Sequence, residues 1–132
     1  MKTLLLILSL LLITTNVYAD WIFYSVNVDG SVYFYDKSSV KRNGNKVKVW
    51  TYYNVAPDDK ALKSVNVSSL RRLEEIDCVN ETFKMLSMHY FTKPNLKGEM
   101  EGGADPNPTI EYIVPNSTIA LLMQLVCKKW KN

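Results

Sequence analysis

Glu75-Ile76-Asp77-Cys78, just past the middle of the chain, and Leu125-Val126-Cys127, near its end, contain the only two cysteines among 132 residues. Whether they pair depends on where the protein resides, because disulfides persist in oxidising compartments and are rare in the cytosol. The start of the chain bears on that question. Met1-Lys2-Thr3 leads into an apolar run from Leu4 to Ile13, interrupted only by Ser9, and then into Val17-Tyr18-Ala19. A basic start, an apolar stretch of about ten residues and small side chains at the two positions a signal peptidase reads predict a cleaved secretory signal over residues 1–19, cut between Ala19 and Asp20. The run is well short of the roughly 18 apolar residues that mark a membrane-spanning helix, so no transmembrane helix is expected. No cysteine borders the cut. No lipoprotein anchor is evident, and the expected location is the periplasm or the cell surface.

In an exported chain an even cysteine count favours a Cys78–Cys127 disulfide; two buried free thiols are the alternative reading. The bridge would close a loop of about 50 residues, worth about 4 kcal/mol in the chain-entropy model, and would pin a central strand to a terminal helix. Residues 20–132 are about the commonest size for one domain. Of 16 Lys+Arg and 13 Asp+Glu only Lys2 lies in the signal, which leaves 15 against 13 and a net charge of +2. That surplus is small and scattered, apart from Lys41-Arg42, Arg71-Arg72 and Lys128-Lys129, and gives no basis for nucleic-acid binding.

The strand candidates follow in order. Trp21 to Asn27 is aromatic and branched, which suits a pleated, half-buried surface; Asp29-Gly30 then predicts a type I′ hairpin turn, and Ser31 to Tyr35 a second strand. Lys37 to Val40 has room for one helical turn before the Asn43-Gly44-Asn45 turn. In a third strand, Lys46 to Tyr53, the residues Val47, Val49, Thr51 and Tyr53 face one way and Lys46, Lys48, Trp50 and Tyr52 the other. Residues 54–67 are polar and predict a mobile loop. Ser69 to Cys78 is a fourth strand whose alternation is imperfect, because Arg72 and Glu74 share a side with Ile76; either a bulge resets the register or that end lies at a sheet edge. Thr82 to Thr92 is apolar on both sides, with Phe83, Met85, His89 and Phe91 on one and Leu86, Met88 and Tyr90 on the other. Such a strand needs a cover on each side. The terminal helix supplies one; the other is left to a loop, to the curl of the sheet or to a second subunit in a homodimer.

Residues 93–108, with three prolines and three glycines, predict a long irregular loop, and Thr109 to Val114 a short strand. Pro115-Asn116-Ser117 opens a helix capped by Asn116 or Ser117. Its apolar stripe of Ile119, Leu122, Met123, Val126 and Trp130 carries Cys127 beside it, and Lys128, Lys129 and Lys131 lie where the helix dipole favours cations. The class is therefore α+β: a mostly antiparallel sheet of about six strands with one C-terminal helix packed on it and tied by the disulfide.

Catalytic chemistry finds little support. His89 is the single histidine, and one ligand does not make a metal site, so it reads as a satisfied structural residue. Asp58-Asp59 and Glu74-Glu75-Asp77 read as a solvated loop and a solvated strand face, since adjacent strand carboxylates point apart. Nucleophile-elbow, phosphate-loop and dinucleotide patterns are absent. No catalytic residue, metal or cofactor is assigned. Trp50 beside Lys41, Arg42 and Lys48, together with Arg71 and Arg72, combines aromatic area with positive charge, a mixture common at protein interfaces. The alternative is that Trp50 and its neighbouring tyrosines lie beneath the helix.

Trp21, Asp29-Gly30 with Val32-Tyr33 and Asp36, Val47-Lys48-Val49-Trp50, Glu75-Ile76-Asp77-Cys78, Leu86-Ser87-Met88 with Tyr90, and Ile113-Val114-Pro115-Asn116-Ser117 ahead of Val126-Cys127 occur in one order along the mature chain. In this the sequence resembles the surface-adhesin protein E family of exported bacterial domains. The resemblance implies a curved antiparallel sheet with a C-terminal helix tied through the two cysteines. It also implies a non-enzymatic envelope protein that binds other proteins, with vitronectin, laminin and plasminogen as the partners of adhesin-type members. The alternative function is a periplasmic domain that modulates another envelope component.

Overall fold

The computed structural model describes residues 18–128. Residues 1–17 of the expected signal, and Lys129, Trp130 and Lys131 of the expected terminal helix, lie outside the described residues. The strands are β1 (Trp21–Val26), β2 (Val32–Asp36), β3 (Lys41–Asn43), β4 (Lys46–Asn54), β5 (Ser69–Asp77), β6 (Thr82–Lys93), β7 (Lys97–Ala104) and β8 (Glu111–Tyr112), and the helices α1 (Lys60–Ser64) and α2 (Thr118–Val126). They form one antiparallel sheet in the order β1-β2-β4-β5-β6-β7. Beside β4, β2 pairs with the second half of the strand and β3 with the first. β7 and β8 divide one side of β6 in the same manner. Eight strands thus occupy six positions, which agrees with the expected six.

Several local expectations are corrected. The β1–β2 connection is not a two-residue type I′ turn: it runs from Asn27 to Ser31, closed by Gly30 N–H donating to Asn27 O (2.9 Å) and by Asp29 Oδ1 accepting from Ser31 N–H (2.9 Å), and Gly30 alone within it has a positive φ. The stretch read as a loop over 54–67 contains α1, capped by Asp59 Oδ1 accepting from Leu62 N–H (3.0 Å). The loop expected over 93–108 contains β7. Its Lys-Gly-Glu-Met-Glu-Gly-Gly-Ala sequence has little strand propensity, and all eight residues are exposed. Backbone pairing with β6 makes it a strand, and Gly102 permits the close approach, since a Cβ there would collide with the Met88 carbonyl.

The irregular alternation of the fourth strand is not reset within it: Arg72 and Glu74 keep the side of Ile76 as an ion pair, and the bulge lies in the neighbouring strand. β5 is central, and its register against β6 shifts between Leu73, opposite Ser87, and Glu74, opposite Met85. The extra residue is Leu86, on β6. One inserted residue turns every later side chain of a strand to the other face. Phe83 accordingly packs in the helix-side core, whereas Ser87, His89 and Phe91 lie on the opposite face, which corrects the single face assigned above to Phe83, Met85, His89 and Phe91.

The core is built between one sheet face and α2. Val47, Val49 and Ile76 pack with Leu122, Val126 and Cys127, flanked by Tyr24, Tyr35, Phe83, Ile113, Ile119 and Met123. Three ties hold the helix. Thr118 Oγ1 donates to Asn27 Oδ1 (2.6 Å) at its start, Arg42 Nη2 donates to the Val126 carbonyl (2.9 Å) at its end, and Cys78 is bonded to Cys127 with Cα atoms 5.9 Å apart. The Arg42 contact satisfies a carbonyl that a helix end leaves without an internal partner. Ser117 is the N-cap, accepting from Ala120 N–H (3.2 Å).

Beyond the helix the same face holds charge. Glu74, expected to be solvated, is 1% exposed and lies 3.4 Å from the Arg72 guanidinium, with Thr51 Oγ1 donating to it (3.2 Å). Arg72 stacks over Tyr53 at 5.2 Å and Tyr33 at 6.0 Å, and those rings stack on each other at 4.8 Å. Burial works against the Arg72 charge, but Glu74 together with Tyr24, Tyr53 and Tyr33 outweighs it and the pKa stands above its ordinary value. Burial, with Glu74 second, pushes the Tyr24 phenol well up.

Two outcomes follow for urea unfolding. Replacing Cys78 and Cys127 together by Ala should cost about 2–4 kcal/mol. Glu74→Ala should cost about 3 kcal/mol by leaving Arg72 without its partner, and Glu74→Leu with Arg72→Met should recover most of that loss.

Candidate functional site

The sheet face away from α2 is assembled from every second residue of six strands. Phe23, Phe34, Tyr52, Arg71, His89 and Gly102 are successive register partners across β1, β2, β4, β5, β6 and β7. On one side of this row run Trp50, Leu73 and Ser87, and on the other Asn54, Ser69, Phe91 and Met100. The bulges at Phe23/Ser25 and Leu73/Glu74 bring the large residues of β1 and β6 onto this face.

The rings form one connected surface. Trp21 meets Tyr52 edge-on at 4.7 Å, Phe34 stacks on Tyr52 at 4.6 Å, and Phe23 meets Phe34 edge-on at 6.1 Å. Tyr52 and Phe91 are buried, Trp50 is half-buried, and Phe23 and Met100 are 55% and 53% exposed. At the centre, Arg71 lies over Trp50 at 5.2 Å and Phe91 at 5.5 Å, within attractive cation–π range. Its Nη2 is 3.8 Å from Met100 Sδ, and His89 tilts against Trp50 at 6.0 Å.

Strand alternation divides the six candidate binding residues. Lys41, Lys48, Trp50 and Arg71 share the helix-free face, Lys41 directly opposite Lys48 in the β3–β4 ladder. Arg42 and Arg72 face the other way, the first engaged with the end of α2 and the second among Glu74 and the tyrosines. Trp50 is not beneath the helix, contrary to the alternative weighed above.

His89 departs from its expected role. Its Nδ1 is sealed from solvent without a hydrogen-bond partner, as is Arg71 Nε directly across the ladder. Burial, then the Arg71 charge, lowers its pKa below the usual 6.5. Neither sequence motif nor spacing pointed to His89, Phe91 or Phe34. The available signal was that β2, with Tyr33 and Tyr35 on one side and Phe34 on the other, is aromatic on both faces, so the face away from the helix is not an ordinary polar one.

A cleft of about 460 Å³ at the end of the sheet is lined by Lys46, Glu75, Asp77, Asn80, Thr82 and Tyr112 among others. Lys46 and Glu75 pair there at 4.0 Å. Hydrogen bonds from Asn80 and Val79 hold the Asp77 carboxyl below its ordinary pKa. These carboxylates are engaged in a turn and an ion pair. Among the described residues no three His, Cys, Asp or Glu side chains are grouped to hold a metal.

The family described as surface-adhesin protein E matches residues 21–128, and the chain belongs to that family. A structure of Haemophilus influenzae protein E in crystal form II is similar to it with a TM-score of 0.65 and 16% identity, covering 89% of this chain and 94% of the other. A further structure of that protein gives 0.62 and 17%, covering 88% and 89%. Protein E from non-typeable Haemophilus influenzae gives 0.61 and 17%, covering 88% and 80%. At these identities the likeness is one of fold. No curated protein sequence matches the chain.

Because His89 is the single histidine, its imidazole can be followed without ambiguity by proton NMR. Its titration midpoint should lie below 6.5 and rise in Arg71→Gln. By linkage, a histidine with a depressed folded pKa binds protons more readily when unfolded. Its contribution to stability should be full above about pH 6.5 and decline as pH falls through the folded midpoint, a slope that His89→Gln removes.

Proposed function

We propose that this member of the surface-adhesin protein E family is an exported, non-enzymatic protein that binds other proteins through the helix-free sheet face. The observation that carries the reading is the connected aromatic surface of that face, with Trp50, Arg71, Lys48 and Lys41 on one side of the sheet. Aromatic area with arginine is the composition of interface hot spots, and a face with exposed Phe23 and Met100 lacks the cover that the helix gives its opposite. The partner class that the family implies is host extracellular-matrix or plasma protein, with vitronectin, laminin and plasminogen as the first to be tried.

Removal of residues 1–19 belongs to the same reading and draws support from one contact. The Asp20 backbone N–H donates to Asp36 Oδ1 (2.9 Å), and Asp36 is buried. Cleavage after Ala19 would turn that nitrogen into an ammonium facing a carboxylate, a charge-assisted contact in place of a neutral one. The domain therefore has a ready position for its new amino terminus.

Residues 20–132, purified and oxidised, should bind immobilised vitronectin, laminin or plasminogen saturably. Lys48→Ala with Trp50→Ala should weaken that binding about tenfold or more, and Lys63→Ala, on the exposed side of α1, should leave it unchanged. Labelling of intact cells should reach the protein; labelling only after the outer membrane is permeabilised would assign it to the periplasm and to a role on another envelope component. Absence of saturable binding by the parent would sink the adhesin reading.

A further inference from the structure

The two partnerless atoms of the helix-free face are adjacent. Arg71 and His89 are directly opposed on β5 and β6, and the Arg71 Nε and His89 Nδ1 atoms each lack a hydrogen-bond partner while closed to solvent. A buried polar atom without a partner costs about 1–3 kcal/mol, more when charged, and the guanidinium that carries one of them extends to exposed Met100, where a ligand can meet it. Arg72 Nε, on the opposite face, also lacks a partner, but there the charge is answered. The Arg72 guanidinium has Glu74 at 3.4 Å, whereas the contacts of Arg71 are two aromatic faces and a thioether sulfur.

Resting on the protein-binding reading above, we propose that Arg71 and His89 form a carboxylate subsite, and that the helix-free face docks an acidic side chain carried on an apolar or aromatic segment of a protein partner. Charge complementarity selects the anion. Arg71 lies on the face with no carboxylate in ion-pair range among the described residues, while two acids of that face are engaged elsewhere, Glu75 with Lys46 and Asp36 with Ser38 and the Asp20 backbone. A planar guanidinium accepts a carboxylate through two parallel hydrogen bonds. The surroundings select a protein as its carrier. Trp50, Phe91, Tyr52 and Met100 flank Arg71 with apolar area, whereas a sulfated polysaccharide is held by arrays of cations along a groove. Among the described cations of this face Arg71 is the one that lies over aromatic rings, while Lys41 and Lys48 lie further along β3 and β4.

His89 adds a proton to the same site. Arg71 from β5 is the charged group facing it, with the Trp50 ring from β4 and the Gly102 backbone from β7 as its other neighbours. A bound carboxylate would offset the repulsion of Arg71 and favour the imidazolium, so binding takes up a proton and tightens as pH falls toward about 6.

The test uses the oxidised domain with three probes: a random glutamate–tyrosine copolymer, a lysine–tyrosine copolymer and heparin. Saturable binding of the glutamate copolymer alone, weakened about tenfold or more by Arg71→Gln, is the expected result. The affinity should rise between about pH 7.5 and pH 6, and His89→Gln should flatten that dependence. Met100→Glu guards against a folding artefact. It places a carboxylate beside Arg71 from an exposed strand position, so it should abolish copolymer binding while the disulfide and the melting temperature are retained. Matrix-protein binding that is indifferent to Arg71→Gln and Met100→Glu would overturn the subsite and leave the protein-binding reading standing. Binding of heparin without the glutamate copolymer would overturn it in favour of a polysaccharide. A dimer that Arg71→Gln dissociates and the copolymer does not displace would assign the face to a second copy of the chain. If the parent binds neither copolymer nor matrix protein, both readings fall.

Discussion

A sheet that is apolar on both faces and has one helix to cover it is the constraint from which the rest of this structure follows. The helix seals Val47, Val49 and Ile76 on one face, and it is held there at its start by Thr118, at its end by Arg42 and along its side by the Cys78–Cys127 bond. Small domains have little core to spare, and a helix of nine residues has little stability of its own. The ties keep it docked. The opposite face has no such element, and its rings shelter one another instead: Tyr52 is buried beneath Trp21 and Phe34, which are themselves only half-covered. Folding thus leaves this surface partly unburied, the condition under which a protein-binding face is expected.

The inserted residue in β6 decides what that surface contains. Without it, Phe83 and His89 would lie on the same side, and the middle of the helix-free face would lose His89 and Phe91 while the helix side gained a polar ring. With it, Phe83 enters the core and His89 comes opposite Arg71. Bulges are known to re-aim side chains near functional sites, and here the bulge separates the half of β6 that packs under the helix from the half that faces away from it. β7 completes the arrangement from the edge: its glycines contribute backbone rather than side chains, so Met100 is the one large residue it adds beside Arg71.

Arg71 and Arg72 show how adjacent residues of one chemistry acquire different roles. The pleat sends them to opposite faces. Arg72 enters a region closed by Tyr33 and Tyr53, where a lone charge would be prohibitive, and Glu74, which also accepts from Thr51, neutralises it. Such buried pairs contribute little net stability, but breaking one is costly. Arg71 is delocalised over aromatic faces and keeps hydrogen-bonding capacity in hand. Candidates drawn from composition alone joined the two arginines, as they joined Lys41 and Arg42, because neighbouring letters look like one patch until the strand separates them.

By itself the sequence determined the elements that depend on local chemistry. The alternation of Lys46 to Tyr53, the capped apolar stripe from Ser117, the single turn after Asp36 and the pairing of two cysteines in an exported chain are set by side chains within a few residues of one another, and each is present in the fold, the pairing as the Cys78–Cys127 bond. The helix-side half of the core was legible for the same reason. Only the tertiary structure decided what depends on a partner strand. β7 exists because β6 offers a backbone ladder that glycine can approach closely, although its own side chains argue against a strand. The faces of Phe83, His89 and Phe91 depend on a register shift that has meaning only against β5. The candidate site is made of single residues from six strands, and a period of two within each strand gives relative orientation but not which side the helix will take; that was settled when the disulfide and the apolar stripe brought α2 onto Val47 and Val49 and left Trp50, Arg71 and His89 on the other face.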